Sequence, residues 1–240
     1  MKTYFARAIS VLLLSFGLYA CAADPPAPVS TGFGRDPILP APETSLIPTV
    51  NIAEADPWPP GMTPKPAAGL SVTEFAAGLD HPRWVYELPN GDVLVAETNA
   101  PPRPENNTGI KGFIAKRIMA KAGATVPSAN RISLLRDGDG DGVAETKTAF
   151  LTGLNSPFGM ALVDGTLYIA NTDGETVITA SPQPFFALPA GPINRHWTKN
   201  LITSPDGDSL FAAVGSNSNI AENGMDAEQG RAAIWKIDRQ

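Results

Sequence analysis

The sequence is poor in the residues that carry much of protein chemistry. Its 240 residues include one cysteine, Cys21, and two histidines, His81 and His196. A single cysteine excludes an intramolecular disulfide, so the fold must be stabilised by packing. The motifs of c-type haem attachment, of phosphate-binding glycine loops and of Gly-x-Ser-x-Gly nucleophiles are all missing. Outside one short basic segment there is no basic patch, and the net charge is −6, which argues against a nucleic-acid partner.

Turn-forming residues are abundant, and they indicate the fold class. Gly and Pro number 22 and 24, charged residues make up only 18%, and apolar residues reach 43%. Many turns combined with enough apolar residues for a core are typical of a strand-and-turn protein. The composition therefore predicts an all-β domain.

The N-terminus has the pattern of an export signal. Lys2 and Arg7 precede a short apolar run at residues 9–18, and small residues follow it. Residues 18–21, Leu-Tyr-Ala-Cys, resemble a bacterial lipobox, which predicts lipidation of Cys21; the alternative is ordinary cleavage after Ala20 or Ala22. We therefore predict a signal peptide at residues 1–21 and a periplasmic or outer-membrane-anchored lipoprotein. Cys21 would be its only membrane attachment.

Residues 22–66 contain half of the chain's 24 prolines, which predicts an extended linker. From residue 67 to residue 240, short apolar runs alternate with glycine turns. Units 82–98, 157–172 and 197–215 each read strand, tight turn, strand, and their turn glycines are 74 and 42 positions apart. Without an insertion at 101–128 the longer spacing falls to about 46, a period typical of propeller blades. We predict three to four blades of a β-propeller that ends before it closes.

The insertion at residues 101–128 carries a helical pattern. Apolar residues recur at helical spacing with basic residues on the other faces. This pattern favours a helix whose apolar face packs on the propeller and caps a site. A helix lying on a membrane surface is the alternative.

An acidic motif lies at residues 137–145, with the sequence Asp-Gly-Asp-Gly-Asp-Gly-Val-Ala-Glu. Carboxylates at positions one, three and five followed by glycine match the start of an EF-hand loop. The glutamate expected at position twelve falls on Thr148, but Glu145 is available as a substitute. The motif predicts a structural calcium site formed by Asp137, Asp139, Asp141 and Glu145. An acidic hairpin turn without a metal is the alternative.

His196 is the strongest candidate for catalysis. It precedes a predicted inner strand, where a side chain faces the central channel of a propeller. A neutral imidazole removes protons near pH 7, so a general base is one interpretation, and a structural histidine bonded to a loop carbonyl is the other. Asn217 and Asn219 follow the next strand, where they fit ligand binding or turn chemistry equally well. Lys199 and Asn200 are weaker candidates, since neighbouring strand residues face opposite ways.

Residues 195–219 resemble the signature of soluble dehydrogenases that use pyrroloquinoline quinone (PQQ). The shared pattern is a histidine, an apolar strand, a Pro-Asp-Gly turn, a strand ending in Val-Gly and a polar loop. Residues 78–83, 90–99, 128–132 and 224–235 are similar to the sorbosone dehydrogenase branch. The resemblance implies a six-bladed propeller in the full-length family, PQQ and calcium as cofactors, and His196 as the general base.

The same resemblance implies a sugar or sugar-aldehyde substrate and an external electron acceptor. On this reading Arg195, Asn200, Asn217 and Asn219 are the candidate cofactor-binding residues. Arg195 departs from the acidic residue of better-known members, and Leu154 replaces their glutamine. The family's cationic and calcium ligands for the quinone lie in later blades, so we expect this stretch alone to be inactive. The alternatives are a calcium-dependent lactonase on a similar propeller and a non-catalytic propeller that binds a partner.

Overall fold

The computed structural model describes residues 53–56, 58–59, 61–102, 109–123, 126–172, 177–178 and 183–239. The predicted signal peptide, Cys21 and most of the predicted linker lie outside this range. The described linker residues, which begin at residue 53, form no helix or strand. Within the described part of the chain, no helix is both long and apolar enough to cross a membrane.

The described residues form three antiparallel sheets, each built in chain order. The first contains β1 (Pro82–Glu87), β2 (Val93–Glu97), β3 (Arg131–Arg136) and β4 (Thr146–Leu151). The second contains β5 (Met160–Val163), β6 (Thr166–Ala170) and β7 (Val177–Ile178). The third contains β8 (Lys199–Thr203), β9 (Ser209–Val214) and β10 (Ala233–Asp238). The three predicted strand–turn–strand units are the hairpins β1–β2, β5–β6 and β8–β9.

The second sheet lies between the other two, and its strands show why. In β6, Leu167 and Ile169 pack into the core with the first sheet, whereas Tyr168 and Ala170 pack into the core with the third. Successive strand residues point to opposite faces, so an apolar run is needed when both faces are covered. Sheets stacked face to face in chain order are the blades of a propeller. The predicted all-β, partial-propeller fold is confirmed.

The first strands of neighbouring sheets come closest together. The Gly159 N–H, just before β5, donates to the Lys199 carbonyl at 2.9 Å. A Cβ atom at position 159 would lie 2.5 Å from the Leu201 nitrogen, so only glycine fits there. Trp84, Phe158 and Trp197 continue this row, with ring centroids 5.4 and 6.2 Å apart. The first strands β1, β5 and β8 therefore form the inner edges of the sheets.

The insertion contains helix α1 (Gly109–Lys121). The predicted packing of its apolar face onto the sheets is wrong for Phe113 and Met119, which are 61% and 45% exposed. Its C-terminal end instead contacts residues 54 and 55. The Ala55 N–H donates to the Lys121 carbonyl at 3.0 Å, and Lys121 Nζ lies 2.8 Å from Glu54 Oε1.

Candidate functional site

The sheets have two distinct ends, and hydrogen bonds identify each. We call the end where β1, β5 and β8 begin the entry end, and the opposite one the turn end. At the entry end, Thr172 Oγ1 donates to the Trp197 carbonyl at 2.8 Å. At the turn end, Arg239 contacts Asp164 and the Gly207 carbonyl, which belong to the β5–β6 and β8–β9 turns. His196 lies at the entry end, because it precedes β8.

The His196 ring is exposed and rests on the chain segment that follows β9. Nδ1 lies 2.8 Å from Ser216 Oγ and 3.2 Å from the Ser216 carbonyl oxygen. The backbone of Gly215 packs so closely that a Cβ atom there would lie 2.5 Å from His196 Cβ and 2.8 Å from the His196 carbonyl oxygen. We call Gly215 and Ser216 the histidine seat. The glycine of the Val-Gly pair is therefore required by the approach of His196.

Arg195 has an acidic partner that sequence reasoning missed. Its Nε lies 3.0 Å from Glu222 Oε1, and its backbone N–H donates to the Asn217 carbonyl at 3.0 Å. The N–H of Ile220 bonds to the Glu222 carboxylate and lowers its pKa, with a smaller contribution from Arg195. This ion pair joins the residue beside His196 to the loop after the seat.

The Asn217 side chain makes its hydrogen bonds to other residues of the protein. It is 7% exposed; its Nδ2 donates to the Ile193 carbonyl, and its Oδ1 accepts from Asn223 Nδ2 at 2.9 Å. Asn219 is exposed, and no hydrogen bond of its side chain to the described residues is seen. The structure thus gives Asn217 a loop-building role and leaves the Asn219 amide open to solvent.

Glu228 holds the same loop from the other side; it lies in the 224–235 stretch of the resemblance but was not predicted as a site residue. Its carboxylate accepts hydrogen bonds from Ser218 Oγ, Ser218 N and Asn217 N at 2.6, 3.0 and 2.7 Å. The bond from the Ser218 hydroxyl contributes most to lowering the Glu228 pKa, and the two N–H groups add to it. Glu228 thus remains an anion and fixes the loop that follows the histidine seat.

Asn200 borders an open cleft of about 460 Å³ on the outward face of the third sheet. Other lining residues are Phe158, Thr198, Gly215 and Ile234. Its Oδ1 atom is buried and has no hydrogen-bond partner among the described residues. Since a buried amide oxygen is costly without a donor, Asn200 is suited to bind a hydroxyl or amine placed in this cleft.

A buried polar network lies behind the site, and the sequence did not reveal it. Asn194 is 3% exposed; it donates to the Thr172 carbonyl at 3.2 Å and accepts from Arg231 Nη1 at 2.9 Å. Lys199 Nζ donates to the same Thr172 carbonyl at 3.3 Å. Burial lowers the pKa of Arg231, and the nearby Glu228 charge opposes this shift. The buried Lys199 side chain explains why its neighbour Asn200, on the other face of β8, is the one that borders the cleft.

Two further residues of the resemblance acquire definite positions. Leu154 is 8% exposed and packs in the core between the first and second sheets, so its side chain cannot contact a substrate. Arg83 is exposed near the start of β1, and its Cζ lies 5.3 Å from the Trp197 ring centroid. Arg83 therefore adds an exposed cation to the entry end, where it lies over the ring of Trp197, the residue after His196.

The acidic motif forms the β3–β4 loop at the turn end, opposite His196. Carboxylate oxygens of Asp137, Asp139, Asp141 and Glu145 all lie within 4.8 Å of one another. Asp137 accepts from the N–H groups of Gly140 and Gly142 at 2.6 and 2.8 Å, and the Gly142 bond contributes most to lowering its pKa. Glu145 turns back to accept from the Gly138 N–H at 2.7 Å. Four clustered carboxylates are hard ligands of the kind that Ca²⁺ prefers.

Comparison with known proteins gives fold-level similarities only. No protein-family model and no curated protein matches the chain. It is similar to a Trichoderma reesei protein of Carbohydrate-Active Enzymes Family AA12, with 16% identity over 72% of this chain and a TM-score of 0.47. It is also similar to the PQQ domain of pyranose dehydrogenase from Coprinopsis cinerea, with 15% identity over 68% of this chain and a TM-score of 0.42.

The chain spans 39% of the length of the first of these proteins and 35% of the second. Both TM-scores lie below 0.5, so the fold assignment depends on the sheets and cores described above.

Proposed function

We propose that this chain forms part of an exported, PQQ-dependent sugar dehydrogenase of the sorbosone type. The observation that carries the proposal is the placement of His196. The residue that aligns with the family's general base has an exposed ring at the entry end and is held by the histidine seat. The contact of Nδ1 with the Ser216 carbonyl at 3.2 Å is also the one expected of a structural histidine, but the exposed ring is accessible to a substrate as well.

The residues at the entry end fit part of a PQQ site. The unpartnered Asn200 amide oxygen, the exposed Asn219 amide and the exposed Arg83 guanidinium are suited to polar and anionic groups. Arg195 is engaged by Glu222, and Lys199 and Arg231 are buried. On this proposal the described residues would provide the proton acceptor and few of the cations that the quinone's carboxylates require. This supports the expectation that the stretch is inactive alone.

The proposed mechanism assigns one proton transfer to this chain. His196 accepts the proton of a sugar hydroxyl or of an aldehyde hydrate, while the carbon atom is oxidised. When bound, PQQ would supply the hydride acceptor, with an external acceptor as the final sink for the electrons. Asn200 and Asn219 would orient the sugar hydroxyls, and Arg83 would attract an anionic group. General-base catalysis of this type contributes roughly 10²–10⁴-fold in rate.

The test uses the natural gene product that contains this chain, reconstituted with PQQ and Ca²⁺. Dye reduction is followed on a panel of sugars, and His196→Ala is expected to lower kcat by roughly 10²–10⁴-fold. His81→Asn is the matched control, since it removes the only other histidine and asparagine tolerates the φ of 51° at that position.

Three outcomes would contradict the proposal in different ways. An undiminished His196→Ala variant would remove His196 from the mechanism. Lactone hydrolysis that needs Ca²⁺ and occurs without dye reduction would favour the lactonase. A gene product with neither activity would favour a non-catalytic propeller that binds a partner.

We also propose that the acidic loop binds a structural Ca²⁺. The support is its geometry, because four carboxylates converge within one loop and the low pKa of Asp137 keeps that group charged. Its position at the turn end separates it from the proposed catalytic residue, so the ion would stabilise the first sheet. Calorimetric titration with Ca²⁺, using Asp139→Asn as the comparison, tests this assignment.

The export proposal concerns residues outside the described range. We propose cleavage of the signal after Ala20 and a lipid anchor on Cys21, giving a periplasmic or outer-membrane-anchored protein. Incorporation of labelled palmitate that is abolished by Cys21→Ser would support the anchor. A mature protein that begins after Ala22 would rule it out.

A further inference from the structure

The environment of His196 defines which ring nitrogen carries the proton. Nδ1 faces two oxygen atoms of Ser216: the hydroxyl at 2.8 Å and the carbonyl at 3.2 Å. The Ser216 hydroxyl also lies 2.8 Å from the Ser218 carbonyl oxygen. A carbonyl oxygen only accepts hydrogen bonds, whereas a hydroxyl has a single proton to donate.

The Ser218 carbonyl oxygen has no proton to donate, so the Ser216 hydroxyl must donate its proton to that oxygen. Ser216 Oγ then presents a lone pair to His196 Nδ1, as the Ser216 carbonyl oxygen already does. Two acceptors facing one ring nitrogen require that this nitrogen carry a hydrogen. In a neutral imidazole the other nitrogen, Nε2, is then the unprotonated base.

Packing makes this arrangement rigid. The seat approaches His196 through backbone atoms, and a Cβ at position 215 would overlap both Cβ and the carbonyl oxygen of His196. Ser218, which accepts from Ser216, is 1% exposed and is held by Glu228 through its hydroxyl and its N–H. The chain of bonds thus runs from buried Ser218 through Ser216 to the exposed ring.

We propose that Ser216 is a positioning residue that holds His196 as the Nδ1–H tautomer and leaves Nε2 free as the proton acceptor. The catalytic meaning of this inference rests on the proposed function, but the tautomer itself does not. No carboxylate among the described residues forms an ion pair with His196, so Ser216 fills the orienting position that an acidic group occupies in a catalytic triad.

The test is a ¹⁵N NMR measurement on the full 240-residue chain labelled at histidine, without quinone or sugar. In its neutral form, His196 is expected to show an unprotonated Nε2 and a protonated Nδ1. Ser216→Ala should shift the two nitrogen signals toward each other as the tautomers mix, and Ser216→Thr should restore the original pattern. His196→Gln identifies the signals, and Ser71→Ala, on an exposed serine, is the control.

Two results would overturn the inference: a wild-type His196 with its proton mainly on Nε2, or an unchanged tautomer ratio in a folded Ser216→Ala variant. If Ser216→Ala does not fold, the wild-type spectrum alone still decides the tautomer. A correct tautomer in a gene product without dye reduction would overturn the proposed function and leave this inference standing. Dye reduction with the opposite tautomer would do the reverse.

Discussion

The acidic loop and the histidine seat are both polar, but the acidic loop is one short segment, whereas the residues around His196 are far apart in the sequence. The acidic loop takes four carboxylates and its N–H donors from residues 137–145, and it lies at the turn end. The site around His196 takes residues from 193 to 231 and needs the β8–β9 pairing, in which Lys199 lies opposite Val214. A local loop can keep its geometry when distant packing changes. The contact of Gly215 and Ser216 with His196, by contrast, is lost if β8 and β9 change their register.

The largest expected effect is on unfolding free energy, when a glycine of the histidine seat and a glycine of the acidic loop are each replaced by alanine. Gly215→Ala places a Cβ against the Cβ and the carbonyl oxygen of His196, neither of which a rotamer change can move away, so we expect a loss of about 3 kcal/mol in unfolding free energy. Gly140→Ala is the matched change in the acidic loop. Its Cβ would meet nothing within 4 Å, and only the φ of 79° is unfavourable, which costs about 1–2 kcal/mol. Urea unfolding measures both; equal losses would show that the seat is not tightly packed.

The next effect concerns the acidic loop alone. At a hundredfold excess over its Kd, Ca²⁺ should raise Tm by about 5–10 °C, because it binds only the folded loop. Asp139→Asn should abolish most of this shift, whereas Asn219→Ala at the opposite end should leave it intact. An equal shift in both variants would place the ion elsewhere. Differential scanning calorimetry with and without a chelator gives the comparison.

A smaller effect tests what Asn217 does at the entry end. Asn217→Ala leaves the Ile193 carbonyl without its donor, so we expect a loss of about 1–2 kcal/mol in unfolding free energy. Asn219→Ala removes an exposed amide and should stay within about 0.5 kcal/mol of wild type. If Asn217 served only a cofactor, the unliganded variant would be as stable as wild type. Chemical denaturation of both variants decides between these roles.

The smallest expected effect is the loss at low pH of the ion pair between Arg136 and Asp92, which lies where the acidic loop begins. Arg136, which precedes Asp137, forms two hydrogen bonds to Asp92, and these bonds with that of Asn90 lower the Asp92 pKa from 3.8 to about 2. A carboxylate whose pKa is lowered by folding stabilises the protein above its unfolded pKa. This contribution should therefore be complete above about pH 4 and lost as the pH falls toward 2.

Asp92→Asn should flatten this part of the stability curve without changing its slope near neutral pH. Urea midpoints at several pH values between 5 and 2 provide the measurement. A wild-type curve identical to that of the variant would show that the ion pair does not contribute. Backbone amide exchange at Gly138 and Gly140 would then report whether the loop itself opens in acid.

Sequence patterns predicted the features that depend on neighbouring residues. The three hairpins follow from alternating apolar residues and glycine turns, and the acidic motif was expected to cluster because its carboxylates lie in one tight loop. The pattern also located helix α1 within 101–128, but not its exposure. A helical pattern shows which residues share a face, whereas the partner of that face is set by the rest of the fold.

The roles of individual site residues were less predictable. Arg195 suggested a departure from the family pattern, yet Glu222 supplies its acidic partner from 27 positions away. Leu154 suggested altered substrate recognition, but it lies in a core between sheets. Asn217 was an equal candidate for ligand binding and turn chemistry until its hydrogen bonds were seen. In each case the partners are brought into place by strand pairing and sheet packing, which short sequence patterns do not show.

The sequence by itself determined the all-β class, the glycine turns and the acidic loop, because each depends on residue type and short spacing. The candidacy of His196 came from the resemblance of residues 195–219 to a known family. Only the tertiary structure decided that the acidic loop and His196 lie at opposite ends. It also showed that Gly215 and Ser216 form the seat of His196, and that Asn200 faces a cleft while Lys199 is buried. These facts depend on the antiparallel register of β8 and β9 and on the stacking of three sheets, neither of which any short segment encodes.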